Sequence, residues 1–455
     1  MTGDPDAQGL RSLLVGGTLG VALLQVTLAG FGFLTAVVLA SLIGASGYGE
    51  YAWAVAWVTV LRIPALLGRD RLLVRSVAAY YARADWGLLR GLLRRSTFVV
   101  VAASLLCLAL ASAVVWVIRT RVDSPLLPAL QVGLLLVPLV ALVGTRQGAL
   151  QGFHRVIAAQ MPDAVLRPAV FLALIGGAYL LVGDDLSSEW ALLFQVAAAA
   201  IGLAVSAYLL RRTVRARVAA AVPRYENRAW NRTALAMAST NGLGVVLQRF
   251  DLILVGIVLG ATDAGVYGAA IRAVTVMSLG LGAMNLAFAP IISRLHALDD
   301  PERLRRGVTR STRLVFVVTL IAGIAMIAAA TPLLGLIGSQ FSEGADALRI
   351  LCVAWLVNAA AASNTLLLMM TRFERAAAVT TGIAVGVNIV LNLILIPVWG
   401  ITGAAVAMLA AQIARNTLMS TLTWRRLGID STILGLSPRG RGPGSGARPV
   451  DVAPR

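Results

Sequence analysis

The chain has 455 residues, of which 58% are hydrophobic and 13% charged, and its mean hydropathy is +0.83. Because soluble domains carry about 25% charged residues, and no soluble fold of this length could bury so much apolar surface, these values exclude a typical soluble enzyme. They predict an all-α polytopic membrane protein. The formal charge of +18 comes from 39 basic residues, all arginine, against 21 acidic ones. This excess would suggest a nucleic-acid partner unless membrane topology explains it.

Apolar windows long enough to cross about 30 Å of hydrocarbon occur twelve times along the chain. They cover 13–43, 49–67, 96–118, 125–146, 164–183, 190–210, 233–258, 265–292, 314–337, 346–370, 376–397 and 402–424. No cleavage-site pattern follows the first window, so we expect a membrane span there and not a cleaved signal peptide. The sequence therefore predicts about twelve transmembrane helices.

The arginines orient these spans. When they are sorted by loop, 31 of the 39 lie on one side, only Arg119 and Arg121 lie on the other, and six fall within spans. Cytoplasmic loops are enriched in basic residues, so both termini are expected in the cytoplasm. Topology then explains most of the basic excess, and we expect no nucleic-acid partner.

Few residues suit catalysis or metal binding. The loops on the arginine-poor side have about eight residues or fewer, too short for an extracellular catalytic domain. His154 and His296 lie in separate basic loops without metal-ligand spacing. Cys107 and Cys352 lie within apolar runs, where we expect small buried side chains. The sequence predicts neither an enzyme nor a bound metal or cofactor.

Two sequence blocks recur in the second half of the chain. Residues 43–54 align with 259–270 at an offset of 216, and residues 85–97 match 300–312 at an offset of 215. Each half then holds six spans of the same orientation, so we predict two six-helix lobes related by a parallel repeat. The predicted domains are an N-terminal lobe (1–210), a basic cytoplasmic linker (211–232), a C-terminal lobe (233–424) and a disordered cytoplasmic tail (425–455).

Two such lobes enclose a cavity between them, which favours a transporter that works by alternating access over a channel or a scaffold. The loop 68–95 contains Tyr80, Tyr81 and Trp86 among its arginines. It is either an amphipathic helix at the headgroup level or an ordinary basic connector.

Arginines inside the spans are candidates for binding an anionic substrate. Arg62 lies about fourteen residues into the second span, and it either faces the cavity or extends to the interface. Arg272 is expected to face the cavity at a depth similar to that of Arg249. Asp251 is the natural counter-ion, and a structural ion pair between Arg249 and Asp251 is favoured over a shared place in the cavity.

The remaining polar residues of the spans allow two interpretations. Arg167, Arg349 and Arg415 lie near predicted span ends, so we expect them to extend to the interface. Asn388 and Asn392 are four residues apart and share one face of the eleventh span. They either line a sugar path or join neighbouring helices, and the second alternative is slightly favoured.

Several short motifs carry a family resemblance over about residues 10–425. In the first half they are Gly44-Ala-Ser-Gly-Tyr-Gly-Glu-Tyr51, Asp70-Arg-Leu-Leu-Val-Arg75, Gly152-Phe-His-Arg155 and Leu166-Arg-Pro168. In the second half they are Arg249-Phe-Asp251, Gly260-Ala-Thr-Asp-Ala-Gly-Val-Tyr267, Ala289-Pro-Ile-Ile-Ser-Arg294, and Asn388 with Asn392, Pro397, Gly400, Gly403 and Ala404. In order and spacing they resemble the polysaccharide and oligosaccharide flippases (Wzx-like) of the multidrug/oligosaccharidyl-lipid/polysaccharide exporter superfamily.

The resemblance implies a transporter of the bacterial cytoplasmic membrane. Such proteins carry oligosaccharides linked to polyprenyl pyrophosphate from the inner to the outer leaflet, for cell-surface polysaccharide biosynthesis. The implied partners are this lipid-linked substrate, membrane lipids and other polysaccharide-assembly proteins. The alternatives are a small-molecule or multidrug exporter of the same superfamily and, in another class, a membrane-embedded glycan-modifying enzyme.

Reporter fusions test the predicted topology. We expect reporters placed after Arg211 and after Arg425 to be cytoplasmic, and one inserted at Asp184 to lie outside, because the arginine-rich loops stay inside. A dual phosphatase and fluorescence reporter measures the side directly. An external signal at either of the first two positions would contradict the predicted span count.

Overall fold

The structure is a computed structural model that describes residues 5–183, 186–214, 216–278, 301–364 and 374–427, with the isolated positions 282, 367 and 433. The described parts of the chain are helices joined by short turns. Ala289–Arg294, Pro290, Asp184, His296 and most of the predicted tail lie outside the described residues.

Nine of the helices lie in the first half and the linker. They are α1 (Pro5–Leu66), α2 (Arg69–Ala82), α3 (Trp86–Arg119), α4 (Leu126–Gly133), α5 (Leu136–Gly152), α6 (Val156–Met161), α7 (Arg167–Val182), α8 (Ser188–Thr213) and α9 (Ala216–Ala220). A π-helical segment, Pro162–Leu166, connects α6 to α7 without a loop.

The second half contributes further helices. They are α10 (Asn227–Val258), α11 (Ala261–Val274), α12 (Pro301–Ala328), α13 (Ala330–Gly335), α14 (Ala345–Ala360) and α15 (Glu374–Leu427). Short 3-10 segments, Thr275–Met277 and Ser339–Gly344, complete the described part of this half.

Eight helical stretches in the described residues are long and apolar enough to cross a membrane. Two of them, Leu23–Leu66 with 44 residues and Ala376–Arg425 with 50, exceed twice the roughly 20 residues that a single crossing needs. Each bends at a glycine with positive φ, Gly44 or Gly400. The structure is therefore a multi-pass helical bundle, and the count of twelve spans stays a prediction.

Gly44 and Gly260, which align in the sequence repeat, have the same unusual backbone conformation. Their φ/ψ angles are 70/−177° and 98/−170°. Positive φ with ψ near 180° is open almost only to glycine, which explains why glycine stands at both positions. In each case a helical segment begins at the next residue, Ala45 or Ala261, so the break in the helix is shorter than the loop that the sequence predicted.

The two helices that follow these glycines contact each other backbone to backbone. A Cβ atom on Gly49 would lie 1.8 Å from the Ala261 carbonyl oxygen, and one on Gly265 would lie 2.1 Å from the Ala45 carbonyl oxygen. The contact is reciprocal. Ala45, which follows Gly44, lies against Gly265 of α11, and Ala261, which follows Gly260, lies against Gly49 of α1. It brings residues 45–66 of α1 directly against α11.

Aromatic and hydrogen-bonded contacts extend this interface between the two halves of the chain. The buried ring of Tyr48 packs edge-on against Phe341 at 6.1 Å between ring centroids. The Trp53 Nε1 group donates to the Ile253 carbonyl oxygen at 3.0 Å, and Gly256 leaves room for the Trp53 ring. Residues 45–66 thus form the central helix of the main hydrophobic core.

The segment 68–95, for which the sequence allowed an amphipathic helix or a basic connector, is mostly helical, and the linker packs against it. The Tyr80 hydroxyl accepts a hydrogen bond from Trp230 Nε1 at 2.9 Å. Arg224 forms an ion pair with Asp85, which keeps the pKa of that carboxyl below its usual value. The carbonyl of Arg224 lies where a Cβ of Gly91 would be. The linker is therefore a packed layer, and it positions the start of α10.

Replacing Gly49 tests the close helix contact. We expect Gly49→Ala to lower the free energy of unfolding by about 1–3 kcal/mol, because the added methyl group must push two backbones apart. The control is Gly176→Ala in α7, where a Cβ would meet nothing within 4 Å. Thermal unfolding of the purified protein compares the two variants, and equal melting temperatures would contradict the observed contact.

Candidate functional site

A cavity of about 250 Å³ lies between the two halves of the chain. We call it the arginine cavity, because Arg167, Arg249 and Arg272 line it. The rest of its wall comes from the first half of α1, from α7 and α8, and from the end of α11. The other polar or aromatic lining residues include Gln25, Tyr51, Asp163, Phe171, Gln195, Thr275 and Ser278.

Arg249 and Arg272 lie close enough to repel each other electrostatically. Both also interact electrostatically with the hydroxyl group of the buried Tyr48. Neither forms an ion pair with any acidic residue that the structure describes. Two like charges in a poorly hydrated interior are unfavourable unless an anion compensates them. The arrangement is therefore suited to binding an anionic group.

Arg167 is the third cation of this cavity, and its position corrects the sequence prediction. It lies well inside the membrane-crossing stretch Val156–Leu181 and pairs with Asp163 at 2.7 Å. The sequence placed Arg167 near a span end, because the apolar window begins at residue 164. The helix in fact continues through Pro162 by the π-helical segment, so Arg167 does not extend to an interface.

A second cavity, of about 340 Å³, lies further along the central helix. Gln147 and Gln151 of α5 line it, so we call it the glutamine cavity. Asp70 and Arg71 of α2 lie on another side, and Met237–Val245 of α10 contributes its mostly apolar wall.

Arg62 lines the glutamine cavity and not the arginine cavity. One of its terminal nitrogens would lie 2.6 Å from a Cβ on Gly144, so this glycine provides space for the guanidinium group. Its Nε is buried and has no hydrogen-bond partner. The sequence predicted both Arg62 and Arg272 as candidates for binding an anionic substrate, but the two residues line different cavities.

Asp251 is buried away from both cavities. Asn392 donates a hydrogen bond to it at 3.0 Å and the Tyr267 hydroxyl lies 3.4 Å from its other oxygen. No ion pair joins it to Arg249, because residues two apart on a helix point to nearly opposite sides. The expected ion pair was therefore wrong for these described residues.

Asn392 joins two helices in the second half of the chain, and Asn388 lies one turn before it on the same helix. Asn392 connects α15 to Asp251 of α10, and it also donates to the Asn388 carbonyl oxygen at 2.9 Å. The Asn388 amide lies beside the same carboxylate but has no hydrogen-bond partner within 3.5 Å. Neither asparagine lines the arginine cavity or the glutamine cavity, and a role for them or for Asp251 in substrate binding stays a prediction.

The two other arginines of the spans differ from each other. Arg349 is partly exposed and pairs with Asp346 at 2.6 Å. Arg415 donates to the Asn358 side chain at 2.6 Å between α15 and α14, and its Nε is buried. Arg415 therefore does not extend to the interface as the sequence suggested, because Asn358 holds it between helices.

Sequence reasoning missed the two glutamines of the second cavity. A signal was present, since Gly144, Gln147, Gly148 and Gln151 recur at helical spacing along one face of α5. Glutamine in an apolar helix carries no motif, so only this spacing could have identified them. Among the described residues, no three His, Cys, Asp or Glu side chains lie close enough together to hold a metal ion.

The buried carboxylate gives a stability prediction. We expect Asp251→Ala to lower the free energy of unfolding by about 1–3 kcal/mol for each buried hydrogen-bond partner that it leaves unsatisfied. The main such partner is Asn392, which donates to Asp251. Asp251→Asn keeps the shape and a hydrogen-bonding oxygen, so it should lose less. Thermal unfolding measures both variants, with Asp123→Ala at an exposed turn as control. A loss no greater than that of the control would contradict the buried cluster.

Comparisons with known proteins agree on family and fold. A family model described as polysaccharide biosynthesis protein matches residues 14–296. A probable low-salt glycan biosynthesis flippase of Haloferax volcanii is 24% identical over 248 residues, 54% of this chain and 51% of that protein. The chain thus matches about half the length of this curated relative.

Solved structures of transporters share the fold. An inward-facing multidrug resistance MATE family transporter of the MOP superfamily has a TM-score of 0.72 at 13% identity, covering 90% of this chain and 98% of its own. A MOP superfamily transporter from Pyrococcus furiosus, described as having a binding pocket of reverse polarity, has a TM-score of 0.64 at 12% identity, with coverages of 91% and 95%.

The family match confirms the resemblance that the sequence motifs carried, and the structural likeness shows that the chain has the fold of MOP superfamily transporters. The family model covers well over half of the chain. The chain therefore belongs to the polysaccharide biosynthesis protein family.

Proposed function

We propose that this protein moves a polyprenyl-pyrophosphate-linked oligosaccharide from the inner to the outer leaflet of a bacterial cytoplasmic membrane. The observation that carries the proposal is the pair Arg249 and Arg272, which face one cavity without an acidic partner among the described residues. Arginine's planar fork binds phosphate oxygens in pairs, so a pyrophosphate suits this site. The family match and the curated flippase support the same substrate class.

The physical demands of this substrate fit the two cavities. Each sugar hydroxyl left without a partner in hydrocarbon costs several kcal/mol, so the glycan must cross inside a polar space. The lipid tail stays in the bilayer, which requires a lateral opening. Cavities between the two halves of a bundle meet the first demand, and motion of one half against the other gives alternating access.

We infer a parallel repeat of two six-helix lobes, 1–210 and 233–424, with both termini in the cytoplasm. The matching glycine conformations at Gly44 and Gly260 and the reciprocal contact of Gly49 with Gly265 support the repeat. The arginine distribution supports the orientation. In this orientation the glutamine cavity lies toward the cytoplasm and the arginine cavity nearer the outer face.

The rival function is export of small molecules or drugs by the same fold. A cavity lined by three arginines and one acidic residue repels cations, so it disfavours cationic drugs. Gene deletion separates the two functions. Under the proposed function, finished lipid-linked sugars accumulate in the inner leaflet. Unchanged sugars with altered drug sensitivity would favour the rival.

Arginine variants test the phosphate site. We expect Arg272→Ala and Arg249→Ala each to lower transport of a polyprenyl-pyrophosphate lipid at least tenfold, since each removes a charge-assisted contact worth about 1.5–3 kcal/mol. Lysine should restore only part of the activity, because it keeps the charge but loses the paired geometry. Flipping in proteoliposomes, normalised to inserted protein, is the measurement.

The matched control is Arg119→Ala, an exposed arginine at the end of α3. Arg415 is unsuitable as a control, because its replacement would leave Asn358 unpaired. If Arg272→Ala transports as well as Arg119→Ala does, the phosphate site is not the arginine cavity.

A further inference from the structure

We propose that the glutamine cavity is a glycan subsite that binds sugars of the substrate some distance from the pyrophosphate. The inference rests on the proposed function, and it assigns Gln147 and Gln151, with Asp70, to sugar recognition. It also reassigns Arg62 from the phosphates to the glycan.

The two cavities lie along one face of the central helix. Tyr51 lines the arginine cavity and Arg62 lines the glutamine cavity, and both belong to the continuous helical stretch of α1 after Gly44. They are eleven residues apart, which at 100° per residue brings them back to the same face about 16 Å further along the axis. A glycan that starts at the arginine cavity therefore meets the glutamine cavity only after several sugars.

The side chains of the glutamine cavity match sugar hydroxyls better than phosphates. A hydroxyl both donates and accepts, and the glutamine amide does the same, whereas arginine only donates. Neither Gln147 nor Gln151 uses its amide in a hydrogen bond to another described residue. Asp70 adds a carboxylate acceptor, which disfavours an anion and offsets one of the nearby arginines.

Two glycines next to the glutamines let the groups that line the cavity approach α5 closely. Gly144 makes space for Arg62, and Gly148 lies against the backbone of Asp70, where a Cβ would be 2.3 Å from a carbonyl oxygen. The cavity volume, about 340 Å³, lies within the range of small-molecule sites. A cavity of this size holds part of a glycan, and the remaining sugars extend out through its open side.

Binding of three synthetic lipids to the full-length protein in nanodiscs tests the subsite. The lipids are a polyprenyl pyrophosphate without sugar, the same lipid with one hexose, and the same lipid with a longer neutral glycan. We expect the wild type to bind the longest lipid at least tenfold more tightly than the bare one. The double variant Gln147→Ala/Gln151→Ala should lose this gain, at about threefold to tenfold per lost contact, and bind the two shorter lipids unchanged.

Two controls separate this proposal from its alternatives. Gln340→Ala, at an exposed glutamine of the 339–344 segment, should bind all three lipids like the wild type. Arg272→Ala should weaken all three equally, which tests the phosphate site on its own. Gln147→Glu keeps the size and the acceptor oxygens of the side chain but loses its donors, so it should retain part of the affinity gained from the longer glycan. If it does, loss of that gain in the double alanine variant is not caused by unfolding.

Each remaining result is informative. If the longer glycan adds no affinity in the wild type, or if the glutamine variant weakens the bare lipid as much as the long one, the glycan subsite is overturned. If Arg272→Ala has no effect while the glutamine variant loses the glycan gain, the proposed phosphate site fails and the glycan subsite stands. Binding of none of the lipids overturns both.

Discussion

The backbone contact between Gly49 and Gly265 is the constraint on which the rest of the structure depends. It sets the separation of the central helix from α11 at a value that any side chain would increase. The central helix then presents Tyr51 to one cavity and Arg62 to the other, while α11 brings Arg272 to the first. Glycine is needed here for close approach, whereas at Gly44 it is needed for positive φ.

The distribution of acidic residues explains why one cavity stays positively charged. Asp163 and Asp346 each pair with a nearby arginine, and Asp251 accepts hydrogen bonds from uncharged groups deep in the second half. Arg249 and Arg272 are left in one cavity without an acidic partner among the described residues. Two neighbouring positive charges inside a membrane protein are unfavourable for stability, so their presence in one cavity is consistent with a ligand that compensates them.

The sequence predicted the part of the fold that follows from hydropathy, namely the bundle of membrane-crossing helices. It aligned Gly44 with Gly260 but did not predict their positive φ, which only the structure shows. The interface position expected for Arg167 was wrong, because the helix continues before the apolar window through the π-helical segment at Pro162, and Arg167 lines the arginine cavity. The pair Arg249 and Asp251 was joined by nearness in sequence, but helix geometry separates their side chains. Gln147 and Gln151 were missed because an uncharged amide in an apolar helix stands out only when its spacing is compared with that of its neighbours.

The two unpaired arginines also bear on how the proposed cycle uses energy. When a pyrophosphate is bound, its negative charge offsets Arg249 and Arg272, so the loaded protein moves little net charge across the bilayer. After release, the same two cations return without a counter-ion. An inside-negative potential favours inward movement of positive charge by about 2.3 kcal/mol per charge per 100 mV for a full crossing. In the proposed cycle the membrane potential therefore acts mainly on the return of the empty protein, and the absence of an acidic residue from 13–43 fits a cycle in which no cation site in that span has to be filled.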